Sequence, residues 1–274
     1  MNSRPSQYST LSHPHAPRAV QPLPSTGVSF TKWITCPFPR PPARFRLFCL
    51  PFAGGGASVF RLWGKALPAD IEVCPIQLPG REDRVAEPPY TNMQALTEEL
   101  ARHIRPYIRK PFGFFGHSMG ALIAFELTRQ LRRVDAPLPT LLFLSAHQAP
   151  HLPRKRRSLH QLPEPEFINA VRRLGGTPAA VFEHQDLLDF VLPTLRADFT
   201  ICDTYHFLPE EPLDCAFVLC AGSNDPEALT PDVAAWRAQT TQSCQVREFT
   251  GNHFFLQSQR DLLLETIATI IHSL

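Results

Sequence analysis

The run Phe112-Gly113-Phe114-Phe115-Gly116-His117-Ser118-Met119-Gly120 constrains the fold more than any other stretch of this chain. Its aromatic half predicts a buried strand. Ala121, Leu122, Phe125 and Leu131 then recur at helical spacing, so a helix opens just after Ser118. A Gly-x-Ser-x-Gly turn squeezed between strand and helix is the setting that exposes a serine hydroxyl as a nucleophile. Positions 116 and 120 need small residues if such a turn is to close. The Met119 amide falls at the helix N-terminus, where it has no intrahelical acceptor and can face a developing oxyanion.

The flanking chain supplies an α/β framework. Buried strands are predicted at 46–50, 71–76, 141–146, 215–221 and 244–249, with helices at about 59–67, 91–107 and 259–271 between or after them. Alternating strands and helices imply a mainly parallel sheet covered on both faces, with its site at the carboxyl ends of the strands. Between 147 and 213 the alternation breaks. Helical pieces at 164–174, 185–192 and 195–205 predict an inserted helical lid, and Arg154-Lys155-Arg156-Arg157 lies at its start. Residues 1–43 hold nine prolines, six serines and no acidic residue, a composition that predicts a disordered tail before a domain spanning 44–274. Within that tail, Lys32–Cys36 is a candidate edge strand.

A length of 274 residues suits one α/β domain. The net charge of +2 argues against wholesale electrostatic binding of nucleic acid. Seven scattered cysteines without C-x-x-C or Cys/His spacing indicate neither a disulfide framework nor a metal site, and fit a reducing, cytoplasmic compartment. Cys49, Cys74 and Cys220 read as small core residues. No apolar run approaches the ~18 residues of a membrane helix.

A serine hydroxyl needs a base within hydrogen-bond reach, and that base needs an orienting carboxylate. His253 follows the last strand and precedes the last helix, which makes it the best base. His117 adjoins Ser118 on a sharp turn where neighbouring side chains diverge, and reads as a packing residue. Asp225, in Gly222-Ser223-Asn224-Asp225-Pro226 just after a strand, is the preferred acid. Asp198 and Asp203 in the lid are alternatives, and Asp214 precedes its strand and faces the wrong end. The glycine run in Pro51-Phe52-Ala53-Gly54-Gly55-Gly56 follows the first strand without a Gly-Lys-Ser/Thr phosphate signature. It reads as the second half of an oxyanion hole, with the Ala53 amide facing that of Met119.

Taken together, Leu50–Ser58, Gln77-Leu78-Pro79-Gly80-Arg81, Phe115–Gly120, Leu174–Pro178, Leu192–Asp198 and His253-Phe254-Phe255-Leu256 make the chain resemble the stand-alone type II thioesterases of polyketide and nonribosomal peptide biosynthesis, from about residue 30 to the C-terminus. The resemblance implies an α/β-hydrolase fold and hydrolysis of acyl groups from the phosphopantetheine arm of carrier proteins, clearing misprimed or stalled chains. It implies Ser118 as nucleophile, His253 as base, Asp225 as acid, and Ala53 and Met119 as oxyanion amides. No cofactor or metal is required, because a thioester is already an activated acyl donor. The expected partners are acyl carrier proteins, not nucleic acid or membrane, and a monomer is expected. A medium-chain acyl-carrier thioesterase of fatty-acid synthesis is the nearest alternative, and a carboxylesterase or lipase a more distant one. Asn252 departs from the Gly or Asp that often precedes the histidine, and the Pro-rich leader lies outside the resemblance.

Overall fold

The computed structural model describes Met1 and residues 30–274. Six strands form a single sheet: β1 (Phe45–Leu50), β2 (Ile71–Pro75), β3 (Phe112–His117), β4 (Leu141–Ser145), β5 (Ala216–Gly222) and β6 (Cys244–Phe249). Their order is β2-β1-β3-β4-β5-β6, and every pairing is parallel. The helices are α1 (Trp63–Ala66), α2 (Met93–Ile104), α3 (Met119–Arg133), α4 (Glu164–Leu174), α5 (Gln185–Thr204), α6 (Thr230–Ala234), α7 (Phe255–Ser258) and α8 (Arg260–His272).

Period-2 alternation divides the strand side chains between two cores. Phe48, Leu50, Phe114, Leu142, Leu144, Phe217 and Leu219 meet the apolar faces of α2 and α3 on one side. Leu47, Cys49, Phe115, Phe143, Val218 and Cys220 meet Phe60, Trp63 and the buried face of α8 on the other. The four central strands are buried on both faces, which accounts for their nearly continuous apolar sequence. β6 is an edge strand, and Gln245, Arg247 and Glu248 on it are exposed, an arrangement that discourages pairing with another chain.

The chain leaves β1 toward β2 on one side and returns to β3 on the other. The strand order therefore reverses at β1, and the loops after β1 and β3 diverge to open a crevice. Both the Ala53 loop and Ser118 lie at this point. Above it, α4 and α5 form a third, separate apolar cluster around Phe167, Val171, Leu188, Leu192, Leu195 and Phe199, against which Ala53 packs.

Several sequence expectations are altered. Residues 2–29, most of the expected disordered tail, lie outside the described residues. Residues 30–43 are ordered against the sheet, so the boundary at 43 falls inside packed structure. Trp33 and Ile34 are buried, Phe30 stacks on Tyr107 at 5.5 Å, and the Arg84 guanidinium lies 4.1 Å from the Trp33 ring centre. Aromatic anchors hold this segment, and its prolines lose little entropy on ordering. The expected edge strand at 32–36 is a single antiparallel bridge, Ile34 with Ile76. The expected helix at 59–67 is a 3-10 turn at Ala57–Phe60 followed by the one-turn α1. Its apolar positions still pack as expected, with Trp63 4.8 Å from Phe115. The two lid pieces at 185–192 and 195–205 are one helix, α5, which runs through Pro193 at the cost of the hydrogen bond its missing N–H would make. Cys49, Cys74, Cys215 and Cys220 are buried, and burial raises their thiol pKa values, so they are inert core residues.

Candidate active site

Ser118 is the single residue between β3 and α3, with φ 54° and ψ −117°, outside the regions an L-residue normally occupies. The two flanking glycines make this possible. A Cβ at Gly116 would lie 2.1 Å from the Gly120 carbonyl oxygen, and one at Gly120 would lie 2.1 Å from the Leu50 carbonyl oxygen. The Ser118 amide donates to Ser145 O at 2.8 Å, which ties the strained turn to the end of β4.

His253 stands in the turn between β6 and α7, and Asp225 in the turn after β5. Ser118 Oγ is 2.9 Å from His253 Nε2, and His253 Nδ1 is 2.8 Å from Asp225 Oδ2. Asp225 is only 2% exposed. Its other oxygen, Oδ1, accepts from the amides of Glu227 at 2.8 Å and Ala228 at 3.2 Å, so the carboxylate is fixed in orientation. The three residues chosen from the sequence thus form one hydrogen-bonded chain. The rejected acids sit elsewhere. Asp198 is paired with Arg81, Asp203 accepts from the amides of Leu159 and His160, and Asp214 is exposed beside Gln242.

His117 does more than pack. It is fully buried, its Nε2 is 2.8 Å from the backbone oxygen of His253, and its Nδ1 is 2.9 Å from Ser145 Oγ. Burial, and then the neighbouring His253, push its pKa well below the usual histidine value. The neutral ring has one proton. A carbonyl can only accept, so that proton is on Nε2, and Nδ1 accepts from the Ser145 hydroxyl. His117 thereby pins the backbone that carries His253, across 136 residues of sequence that offered no signal of the contact.

The Ala53 loop faces the start of α3. Phe52 to Gly55 form a type II turn: the Gly55 amide donates to Phe52 O at 2.9 Å, and Gly54 has φ +79°. Met119 opens α3, so its amide has no intrahelical acceptor. Two residues outside the sequence-derived site reach this turn. Asp198 on α5 accepts from the Gly54 amide at 2.7 Å, and Arg81 binds Asp198 through both guanidinium nitrogens, at 2.6 and 2.7 Å.

A cavity of about 750 Å³ lies between Ser118 and His253 on one side and α4 and α5 on the other. Ser118 and His253 line it beside the apolar side chains of Leu122, Val171, Leu195 and Phe199. His147, also at its wall, has its pKa pushed down to about 4 by burial and so remains neutral. The basic run at 154–157 is largely neutralised internally. Arg154 and Arg156 pair with Asp203, Lys155 with Asp232, and Arg157 with Glu166. These pairs tie residues 154–157 to α4, α5 and α6. Among the described residues no group of three His, Cys, Asp or Glu is arranged to hold a metal ion, and no helix is long and apolar enough to cross a membrane.

A model of the thioesterase domain matches residues 45–271. The chain belongs to the thioesterase domain family. Its relatives include the protein named linear gramicidin dehydrogenase LgrE of Brevibacillus parabrevis, 43% identical over 251 residues that cover 90% of this chain and 95% of that one. The RedJ thioesterase from the prodiginine biosynthetic pathway of Streptomyces coelicolor superposes with a TM-score of 0.79 at 41% identity, covering 83% of this chain and 90% of that structure. The type II thioesterase BorB from the borrelidin biosynthetic cluster superposes with a TM-score of 0.81 at 34% identity, covering 89% and 99%. The thioesterase therefore has the α/β-hydrolase fold of these neighbours and is a serine hydrolase of thioesters. The family match begins at the first residue of β1 and ends in α8, so it contains the serine elbow, α4, α5 and the histidine turn.

Proposed function

We propose that this thioesterase removes acyl groups from the phosphopantetheine arm of carrier proteins in polyketide or nonribosomal peptide biosynthesis, acting as a cytoplasmic monomer that clears misprimed or stalled chains. The observation that carries this reading is the hydrogen-bonded Ser118–His253–Asp225 chain at the wall of a cavity large enough for an acyl group. The pathways named for RedJ and BorB supply the substrate class.

Each residue then has one task. His253 Nε2 takes the Ser118 proton as Oγ adds to the thioester carbonyl carbon. The carbonyl oxygen becomes an oxyanion facing the amides of Ala53 and Met119. Collapse breaks the carbon–sulfur bond, and the imidazolium returns its proton to the departing thiolate of the arm. Water, deprotonated by the same Nε2, then adds to the acyl-serine carbonyl; collapse breaks the carbon–Oγ bond, the imidazolium returns its proton to Ser118 Oγ, and the acid is freed. Asp225 holds Nδ1–H throughout, which keeps the ring in the tautomer that accepts at Nε2. The lid over residues 147–213 shields the acyl-enzyme and supplies the apolar wall for the acyl group.

The dehydrogenase name carried by one relative does not transfer. A dinucleotide needs its pyrophosphate at the N-terminus of a long helix after the first strand. Here the glycine run leads into a four-residue 3-10 turn whose loop is bound to the lid.

The test loads a carrier protein with an acyl group and follows free acid by mass spectrometry. Wild type is expected to release the acid, and Ser118→Ala to release none above background while melting normally. Near-normal release by folded Ser118→Ala would refute the assignment.

A further inference from the structure

The buried pair Arg81–Asp198 has no role in the chemistry above, yet both of its members touch the loop that presents Ala53. Asp198 Oδ2 accepts from the Gly54 amide at 2.7 Å and from Arg81 Nη1 at 2.6 Å, while Oδ1 accepts from Arg81 Nη2 at 2.7 Å. Arg81 Nη1 also donates to Gly55 O at 3.1 Å. Arg81 is 6% exposed and Asp198 1%. The same face of α5 adds two further contacts. Thr194 Oγ1 donates to Gly80 O, and the Leu195 side chain lies against Gly54 so closely that a Cβ there would fall 2.5 Å from it.

These contacts determine how the peptide planes around Ala53 lie. The plane between Phe52 and Ala53 carries the Phe52 carbonyl on one edge and the Ala53 N–H on the other, since the two point oppositely in a trans peptide. The Gly55 amide holds that carbonyl. The next plane, between Ala53 and Gly54, is the one that reverses when a type II turn converts to type I. Its N–H is the group that Asp198 accepts. Were this plane to reverse, the Ala53 carbonyl would turn toward the Asp198 carboxylate, which is repulsive. Arg81 fixes the carboxylate with two parallel hydrogen bonds and itself donates to the Gly55 carbonyl.

We propose that Arg81 and Asp198 are positioning residues that hold the Ala53 amide in its oxyanion-binding orientation, and that through Asp198 the lid helix α5 sets the competence of the site. The proposal rests on the reading of Ser118 and Ala53 given under Proposed function. It makes lid seating a condition for the chemical step: an α5 that moves away takes with it the acceptor for Gly54, and the oxyanion loop relaxes. An acyl-enzyme with the lid displaced is then held without hydrolysis until α5 returns.

Removing only one partner would strand a buried charge and endanger folding. The test variant is therefore the double change Arg81→Met with Asp198→Leu, which removes both charges and the acceptor for Gly54 together. Its companion, Arg81→Met with Asp198→Asn, restores an acceptor oxygen without the charge. Three quantities are read for each: kcat and KM on an acyl thioester, the affinity of a trifluoromethyl ketone analogue that forms an oxyanion on Ser118, and the melting temperature. The Met/Leu variant is expected to lose about ten- to a hundredfold in kcat, the scale on which a displacement of ~1 Å acts. Its analogue affinity falls by the same factor and its KM stays within about threefold. The Met/Asn variant recovers most of both losses. A pair that merely anchors the lid would raise KM, lower the melting temperature and leave the analogue affinity alone. That pattern, or equal kcat in the two double variants, overturns the proposal. Ser118→Ala run alongside separates the two levels. If it is active, the nucleophile assignment fails. If it is inactive while the Met/Leu variant turns over like wild type, only the positioning role fails.

Discussion

Replacing Asp225 by asparagine tests the acid with atomic resolution, because the structure dictates which way the new amide must point. Oδ1 faces two N–H donors, the amides of Glu227 and Ala228, and Oδ2 faces one, His253 Nδ1–H. The asparagine oxygen takes the position with two donors, since its NH2 group there would meet both. The NH2 group is thereby aimed at His253 Nδ1, which must then accept, and the ring proton moves to Nε2. Nε2–H points at Ser118 Oγ and can no longer take its proton. The same change in a serine protease with this triad costs about 10⁴-fold in kcat, or roughly 5.4 kcal/mol at 1.36 kcal/mol per decade. Steady-state release of free thiol from an acyl thioester at pH 7.5 measures the loss, with a melting curve to establish folding. The Asp203→Asn control should lower the melting temperature, because it weakens the acceptor for Leu159, His160 and Arg156, and should leave kcat within about threefold. A folded Asp225→Asn enzyme within tenfold of wild type, or a larger loss from Asp203→Asn, would refute the tautomer argument and the acid assignment with it.

Gly120→Ala is expected to abolish soluble expression or lower the melting temperature sharply, since its Cβ would meet the Leu50 carbonyl at 2.1 Å, in backbone that has little room to yield; an ordinary melting curve would contradict this. Stability should fall with acidification. Burial holds His117 below its ordinary pKa and His147 at about 4, so the unfolded chain binds these protons first as pH drops. Their effect is absent above about pH 7.5 and grows as pH falls from about 6.5 toward 4. Urea midpoints at pH 7.5 and 5.0 measure it, and a His117→Gln variant should show a smaller drop between them; an equal drop would exclude His117 as a contributor. In hydrogen exchange, α4 and the first two turns of α5 should exchange faster than β3 and β4, because their cluster is separate from the two sheet cores and Leu187 and Phe190 are exposed. Protection equal to that of the central strands would argue against a mobile lid.

What the sequence disclosed depends on how local each signal was. The strands and the serine elbow were legible because their information is contiguous: an aromatic run, two glycines with a serine between them, then helical periodicity, all within one turn of chain reversal. Asp225 and His253 were legible because each follows a strand, and in a parallel sheet that fact alone brings them to the same edge. The packing of residues 30–43 was hidden by composition. Nine prolines suggested a disordered tail, whereas Trp33 and Phe30 are enough to seat its end on Arg84 and Tyr107. The division of α5 at Pro193 followed a local rule that tertiary contacts override, with Leu192 and Leu195 buried on either side of the proline.

The least legible contacts are those that bear most on control of the site. Arg81 and Asp198 are 117 residues apart, and nothing in either segment names the other. Asp198 even counted as a candidate acid, which a buried carboxylate near a serine invites, and its real neighbours are a guanidinium and the Gly54 amide. Their arrangement also explains an otherwise odd combination: a glycine at 54, free to take the positive φ that the turn needs, placed under Leu195 of a helix inserted far downstream. A loop that flexible is a poor support for an oxyanion donor. On the proposal, α5 makes it a good one, because Leu195 closes the space above Gly54 while Asp198 holds the Gly54 N–H and Arg81 the Gly55 carbonyl. On the proposal made above, oxyanion stabilisation is lost while α5 is displaced and gained on closure, after the acyl group has entered and water access is restricted. If hydrogen exchange shows the second half of α5 opening independently of the Ala53 loop, with the loop keeping its protection, this coupling does not exist and the two must be treated as separate devices.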